Sequence, residues 1–141
     1  MSKRAHMDLY SVGDHGEVAK TVSESDIYGF AGIVGDFYAV HLNEEYAKTT
    51  RFGKRIAQGA LSVGFLSAVM GHMAARAPNP GAVSHRYDIT FRAPVYVGDT
   101  VTARLDLIEK DEERNTCVFK AEVTNHEGTV VADGRTYLKV L

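Results

Sequence analysis

Tryptophan is absent from the 141 residues, cysteine occurs once and proline three times. A lone Cys117 can neither close an intrachain disulfide nor build a cysteine-based zinc site, which fits a reducing cytoplasm. Charge of one sign is missing too: 16 Lys and Arg stand against 18 Asp and Glu, a net charge of -2. That balance removes the electrostatic case for a nucleic-acid partner. No basic block suggests a membrane surface, Lys3 and Arg4 being only a short solvated start. Behind them there is no apolar core of the ~7–15 residues that a secretory signal requires. Repeats, low-complexity tracts and Pro/Gly/Ser-rich linkers are also absent, so residues 1–141 are expected to form a single domain. Disorder is excluded by the 45% hydrophobic content.

Long uncharged runs are scarce, with one exception. Ile56 to Ala75 carries no acidic or basic side chain and has the length of a bilayer span. Gln58, Gly59, Ser62, Gly64, Ser67, Gly71 and His72 interrupt it, however. The expectation is a buried helix, closely packed all round, with His72 as an interior histidine.

What is present divides the chain by period. From 23 to 76 the apolar spacing is helical. Ser23 and Asp26 resemble a weakened capping box, after which Ile27, Phe30, Ala31 and Val34 mark one face. Asn43 is placed to cap a short helix through Tyr46 and Ala47. The long helix carries Leu61, Phe65, Leu66, Val69, Met70 and Met73, and stops at Ala77-Pro78-Asn79-Pro80-Gly81. From 83 onward the period is two. Tyr87, Ile89 and Phe91 form one row, then Val101, Ala103, Leu105 and Leu107, then Cys117, Phe119, Ala121 and Val123. Turns fall at Gly98-Asp99 and Asn125–Gly128, and Lys110–Asn115 is a charged hairpin loop. A last strand runs from Thr129 to Leu141, and an early one at Glu17–Val22 supplies an edge. The fold class is α+β, a helix layer on an antiparallel sheet.

The stretch Gly35-Asp36-Phe37-Tyr38-Ala39-Val40-His41 carries the chemistry. A carboxylate and an imidazole five residues apart, between two helical segments, can be aimed at one point. Both accept protons near neutrality, so together they can take a proton from water and return one to carbon. Without context the same pair also reads as a turn-capping aspartate and a surface histidine. No third ligand stands nearby, so no metal is implied.

This stretch resembles the signature of the MaoC-like, R-specific enoyl-CoA hydratases, Gly-Asp-x-Asn-Pro-x-His, with Tyr38-Ala39 in place of Asn-Pro. Phe52-Gly53-Lys54-Arg55-Ile56-Ala57-Gln58-Gly59 is similar to the family's approach to its central helix, with Gln58-Gly59 where His-Gly is usual. Phe91-Arg92-Ala93-Pro94-Val95-Tyr96-Val97-Gly98-Asp99-Thr100-Val101 matches closely. The resemblance spans roughly residues 10 to 141 and implies a hotdog fold, a curved antiparallel sheet wrapped around one long helix. It implies Asp36 and His41 as the catalytic dyad and the Gly59 amide as holder of the thioester oxygen, a role suited to the free N–H groups of a helix start. Ser67 and Tyr38 are the implied pocket residues. Arg51, Lys54 and Arg55 are the cations suited to coenzyme A phosphates.

The activity implied is a lyase reaction, hydration of trans-2-enoyl-CoA to R-3-hydroxyacyl-CoA or its reverse, without a cofactor. The thioester is carried by coenzyme A or acyl carrier protein, and the protein is a cytoplasmic homodimer or higher homo-oligomer. Two alternatives are weighed. A hotdog thioesterase would be favoured by an acidic residue on the central helix, which has none. A non-catalytic acyl-thioester-binding module, or a subunit of a hydratase complex, would be favoured by loss of Asp36 or His41, and both are present.

Overall fold

The computed structural model describes residues 6–141; Lys3 and Arg4, the solvated start expected above, lie outside the described residues. Strand β1 (His15–Thr21) leads into helix α1 (Glu24–Val34). The Ser23 hydroxyl accepts from the Asp26 amide at 3.1 Å, and the Asp26 carboxylate accepts from the Ser23 amide at 2.9 Å. The capping box is therefore complete rather than weakened. Lys20 reinforces it with an ion pair to Asp26 at 2.9 Å. Ile27 and Ala31 are buried, while Val34, in the last turn beyond the core, is exposed. Gly35 then adopts a left-handed conformation (φ 80°) and ends the helix, its amide donating to the Ala31 carbonyl at 2.8 Å.

Two short helices follow, α2 (Ala39–Leu42) and α3 (Glu44–Lys48), the second capped by Asn43, whose side chain accepts from the Tyr46 amide at 3.0 Å. Helix α4 (Gly59–Ala74) is the long one. Leu66, Val69, Met70 and Met73 bury one side of it in the core. The other side is open: Gly64, Ser67, Ala68, Gly71 and His72 are exposed. Close packing all round, and an interior His72, are thus not what this chain adopts. A single helix lying on one sheet has a sheet side and a far side, and His72 is on the far side. Among the described residues no helix is long and apolar enough to cross a membrane.

Strands β2 (Ala82–Phe91), β3 (Thr100–Asp111), β4 (Thr116–Asn125) and β5 (Val130–Val140) complete one antiparallel sheet in the order β1-β3-β4-β5-β2. Two of the three expected rows face the core, Val101, Ala103, Leu105, Leu107, Cys117, Phe119, Ala121 and Val123 all being buried beneath α4, while on edge strand β2 Tyr87 and Ile89 are half-buried and Phe91 is exposed. Register slips by a bulge between Leu107 and Glu109, and again on β2 between Ser84 and Arg86. Gly134 on β5 pairs with Ile89 on β2 at φ 149°, against the Asp88 carbonyl. Five curved strands around one helix give the expected α+β hotdog arrangement. β1 and β2 are its two edges.

Candidate active site

Gly35 turns the chain so that Asp36 leaves the end of α1 while His41 sits inside α2, and the two side chains meet. His41 is buried, and its Nδ1 lies 2.8 Å from the Ile56 carbonyl oxygen. A carbonyl only accepts, so Nδ1 carries the proton and the neutral ring has a bare Nε2. That Nε2 is 3.8 Å from Asp36 Oδ2, beyond direct hydrogen bonding. Tyr38 touches both partners. Its amide donates to Asp36 Oδ1 at 3.2 Å, and its ring meets the His41 ring edge-on, 5.7 Å between centroids. The Tyr38 ring also meets the Tyr46 ring edge-on, 6.3 Å between centroids, and this neighbouring phenol raises the pKa of Tyr38 above that of an ordinary phenol.

The Tyr38-Ala39 pair keeps the backbone that Asn-Pro would need. Tyr38 has φ -58° and ψ 129°, the extended shape that precedes proline, and Ala39 opens α2, where proline is favoured. Ala39→Pro is therefore expected to leave the dyad in place and to raise stability by about 0.4–1 kcal/mol, by restricting the unfolded chain. A thermal melt that fell by several degrees would contradict this reading.

A cavity of about 280 Å³ opens beside the imidazole, with His41, Gln58, Gly59, Ser62 and Phe91 in its wall. Gly59 is the first residue of α4, and no carbonyl lies one turn back to receive its amide. The preceding Gln58 does not cap the helix with its side chain. A Cβ on Gly59 would come within 3.0–3.1 Å of three Phe91 ring carbons, so the missing side chain lets that ring lie across the helix start. Gln58 itself is 2% exposed. Its Nε2 donates to the Ile27 carbonyl of α1 at 3.0 Å, and its Oε1 has no partner among the described residues.

Not every expected residue joins this site. Ser67 is exposed and outside the cavity, whereas Ser62 is buried in its wall. Helix geometry explains the exchange: Ser62 is one turn from Gly59 on the buried side, but Ser67 is about 12 Å further along the axis than Gly59 and about 140° round the helix from Ser62. Arg55 is no free cation. Its guanidinium pairs with Glu24 at 2.5 Å and Glu44 at 2.6 Å and donates to the Tyr28 hydroxyl, leaving its side chain 16% exposed and its pKa raised. It clasps α1 to α3 instead of awaiting a phosphate. Arg51 does line the cavity, stacked 5.0 Å from the Phe52 ring, and Lys54 stands 4.5 Å above the Tyr96 ring nearby.

Arg92 also lines the cavity, held by Asp133 at 2.9 Å. It and Phe91 belong to the matched Phe91–Val101 stretch, but β-strand alternation does not tell which of that stretch reaches a helix start. Cys117 is buried under the sheet, and burial pushes its thiol up to about 11, far from a nucleophile at neutral pH. Among the described residues no group of three or more His, Cys, Asp or Glu converges.

Residues 14–129 match the family described as MaoC like domain. The chain is 44% identical over 128 residues to an (R)-specific enoyl-CoA hydratase of Rhodospirillum rubrum, covering 91% of this chain and 86% of that one. It is 40% identical over 121 residues to a 3-hydroxybutyryl-CoA dehydratase of Methylorubrum extorquens, covering 86% and 74%. In structure it resembles the (R)-hydratase from A. caviae involved in PHA biosynthesis, with a TM-score of 0.85 at 23% identity, covering 94% and 98%.

Proposed function

The chain belongs to the MaoC-like domain family, and from that premise we propose that it is a hydratase/dehydratase interconverting trans-2-enoyl-CoA and R-3-hydroxyacyl-CoA. One observation supports the mechanism above the others. His41 commits Nδ1–H to the Ile56 carbonyl and leaves Nε2 bare, 3.8 Å from a carboxylate, in the wall of a cavity that also holds a helix-start amide.

In this reading a water lies between Asp36 and His41, since a polar pair separated by more than 3.5 Å is suited to a bridging water. Its oxygen adds to C3 as one of its protons passes to the dyad, with the bare Nε2 as the acceptor. Electrons move from the C2=C3 bond toward the thioester oxygen, where the Gly59 amide stabilises the developing enolate. The dyad then returns a proton to C2, through Asp36. Water has been split into OH on C3 and H on C2, and the enzyme ends as it began. Which partner holds the proton at each moment is a property of the pair. Arg51 and Lys54 are the cations left to meet phosphate groups of the thioester carrier, and Tyr38 flanks the acyl group.

Crotonyl-CoA is expected to lose its enoyl-thioester absorbance in the presence of the protein. The product is expected to be a single enantiomer, because a dyad on one short segment reaches only one face of the planar enoyl group, and the likeness to the (R)-specific hydratase makes that enantiomer R-3-hydroxybutyryl-CoA. An R-specific reporter enzyme responds in that case, while an S-specific dehydrogenase yields no NADH; a strong S-specific signal would sink the assignment.

The two free sheet edges and the bare side of α4 support a homodimer, in which edge pairing removes an exposed strand. Light scattering at micromolar concentration is expected to give twice the chain mass. A fully active monomer would refute the dimer.

A further inference from the structure

We propose that Gln58 is a positioning residue for this reaction: its buried amide bond to the Ile27 carbonyl sets where Asp36 stands relative to His41 and Gly59. The inference rests on the hydration reading and concerns how the two halves of the dyad are held in register. They hang from different supports. His41 is bonded directly to the segment before α4, through Ile56 O. Among the described residues Asp36 makes no bond to that segment; its carboxylate accepts from the Tyr38 amide and otherwise faces His41. Its position is inherited from α1, at whose end it lies.

Among the described residues, Arg55 and Gln58 are the two that tie α1 to the segment carrying Gly59 by polar links. Arg55 reaches Glu24 and the Tyr28 hydroxyl, both about half exposed, so its ion pair is weakened by salt. Gln58 reaches Ile27 inside the protein, the residue being 2% exposed. Filling space does not account for a glutamine here. Met or Leu would occupy a similar volume without burying Oε1, an oxygen with no partner among the described residues. The amide is retained, on this argument, for the N–H that grips α1. Commitment of the side chain to Ile27 has a second effect: it cannot fold back to cap α4, so the Gly59 amide stays open.

Gln58→Met matches the length and removes the donor. Its kcat is expected to fall about 10- to 100-fold, the loss that follows a displacement of a reacting group by roughly 1 Å, with KM nearly unchanged. Gln58→Glu offers an O–H to Ile27 only when protonated. Its kcat relative to wild type, scored per folded molecule by circular dichroism, is therefore expected to climb as the pH is lowered. A space-filling role would move the melting temperature alone. Wild-type kcat per folded molecule in Gln58→Met, or a flat ratio against pH in Gln58→Glu, would overturn the proposal.

Should Gln58→Met not fold, the glutamate variant decides. Hydrogen exchange gives a readout independent of turnover: the Gly35 amide, which closes α1, is expected to exchange faster in either variant while sheet amides keep their rates. If wild-type protein hydrated no enoyl thioester, the hydratase reading would fall. Unchanged exchange at Gly35 would separately refute the clamp.

Discussion

Asp36→Ala and His41→Ala are each expected to lower the hydration rate by about 10²–10⁴, the span associated with a positioned acid–base group. The fold should survive both changes. Asp36 is substantially exposed, and its carboxylate accepts one local amide bond, from Tyr38. His41 is buried, so its removal strands the Ile56 carbonyl, at a cost of about 1–3 kcal/mol that still leaves a folded protein. Asp36→Asn is the sharper probe, since an amide preserves the Tyr38 contact but does not cycle a proton. The double variant is expected to be scarcely slower than either single one, because two groups that handle one proton fail together. Initial rates on crotonyl-CoA, beside a circular dichroism spectrum, test all four. A near wild-type rate in a natively folded Asp36→Ala or His41→Ala protein would refute the dyad.

Gly134→Ala is expected to damage the fold itself, without touching Asp36, His41 or Gly59. A Cβ at this position would sit 1.9 Å from the Asp88 carbonyl oxygen of the neighbouring strand, in a backbone conformation (φ 149°) that L side chains rarely adopt. Neither atom is the loose end of a side chain, so β2 and β5 must part to make room. The loss should exceed about 3 kcal/mol, at the severe end for one substitution. Gly29→Ala, in exposed α1 with nothing within 4 Å of its added methyl, is the control. It is expected to gain about 0.5–1 kcal/mol from helix propensity. Denaturant midpoints of the two variants should move in opposite directions.

The sheet was readable because its central strands carry apolar residues at period two. Val101 to Leu107 and Cys117 to Val123 announce both their period and their buried face, and the structure buries every member. Ser23 and Asp26 were equally legible, since a capping box is a contact across three residues. The convergence of Asp36 and His41, 3.8 Å apart, was legible through their spacing and the motifs around them. What escaped depends on distances that local pattern does not encode. Arg55 reads as a free cation in a basic cluster until the fold brings it Glu24, from 31 residues earlier. His72 reads as interior because its neighbours are small and apolar, but composition does not say which side of a helix the sheet will occupy. Ser62 and Ser67 differ in height along α4 and in the side they face, and both matter only once the cavity is known to lie at the helix start and the sheet on one side.

The four residues Ile56–Gly59 are each engaged with a different part of the molecule: the His41 ring, the Val95 carbonyl, the Ile27 carbonyl and the Phe91 ring. Such a segment has no slack in length. Inserting or deleting one residue there would carry every one of these contacts out of step at once, even if the new residue were itself harmless. The turn between β3 and β4 is the opposite case. Glu112 and Glu113 are exposed at its tip, at the far end of β5 from Val131 and the cavity. A peptide tag or a new pair of termini placed between them should be accommodated with activity intact. Change of length is thus open to this chain at one pole and closed at the other.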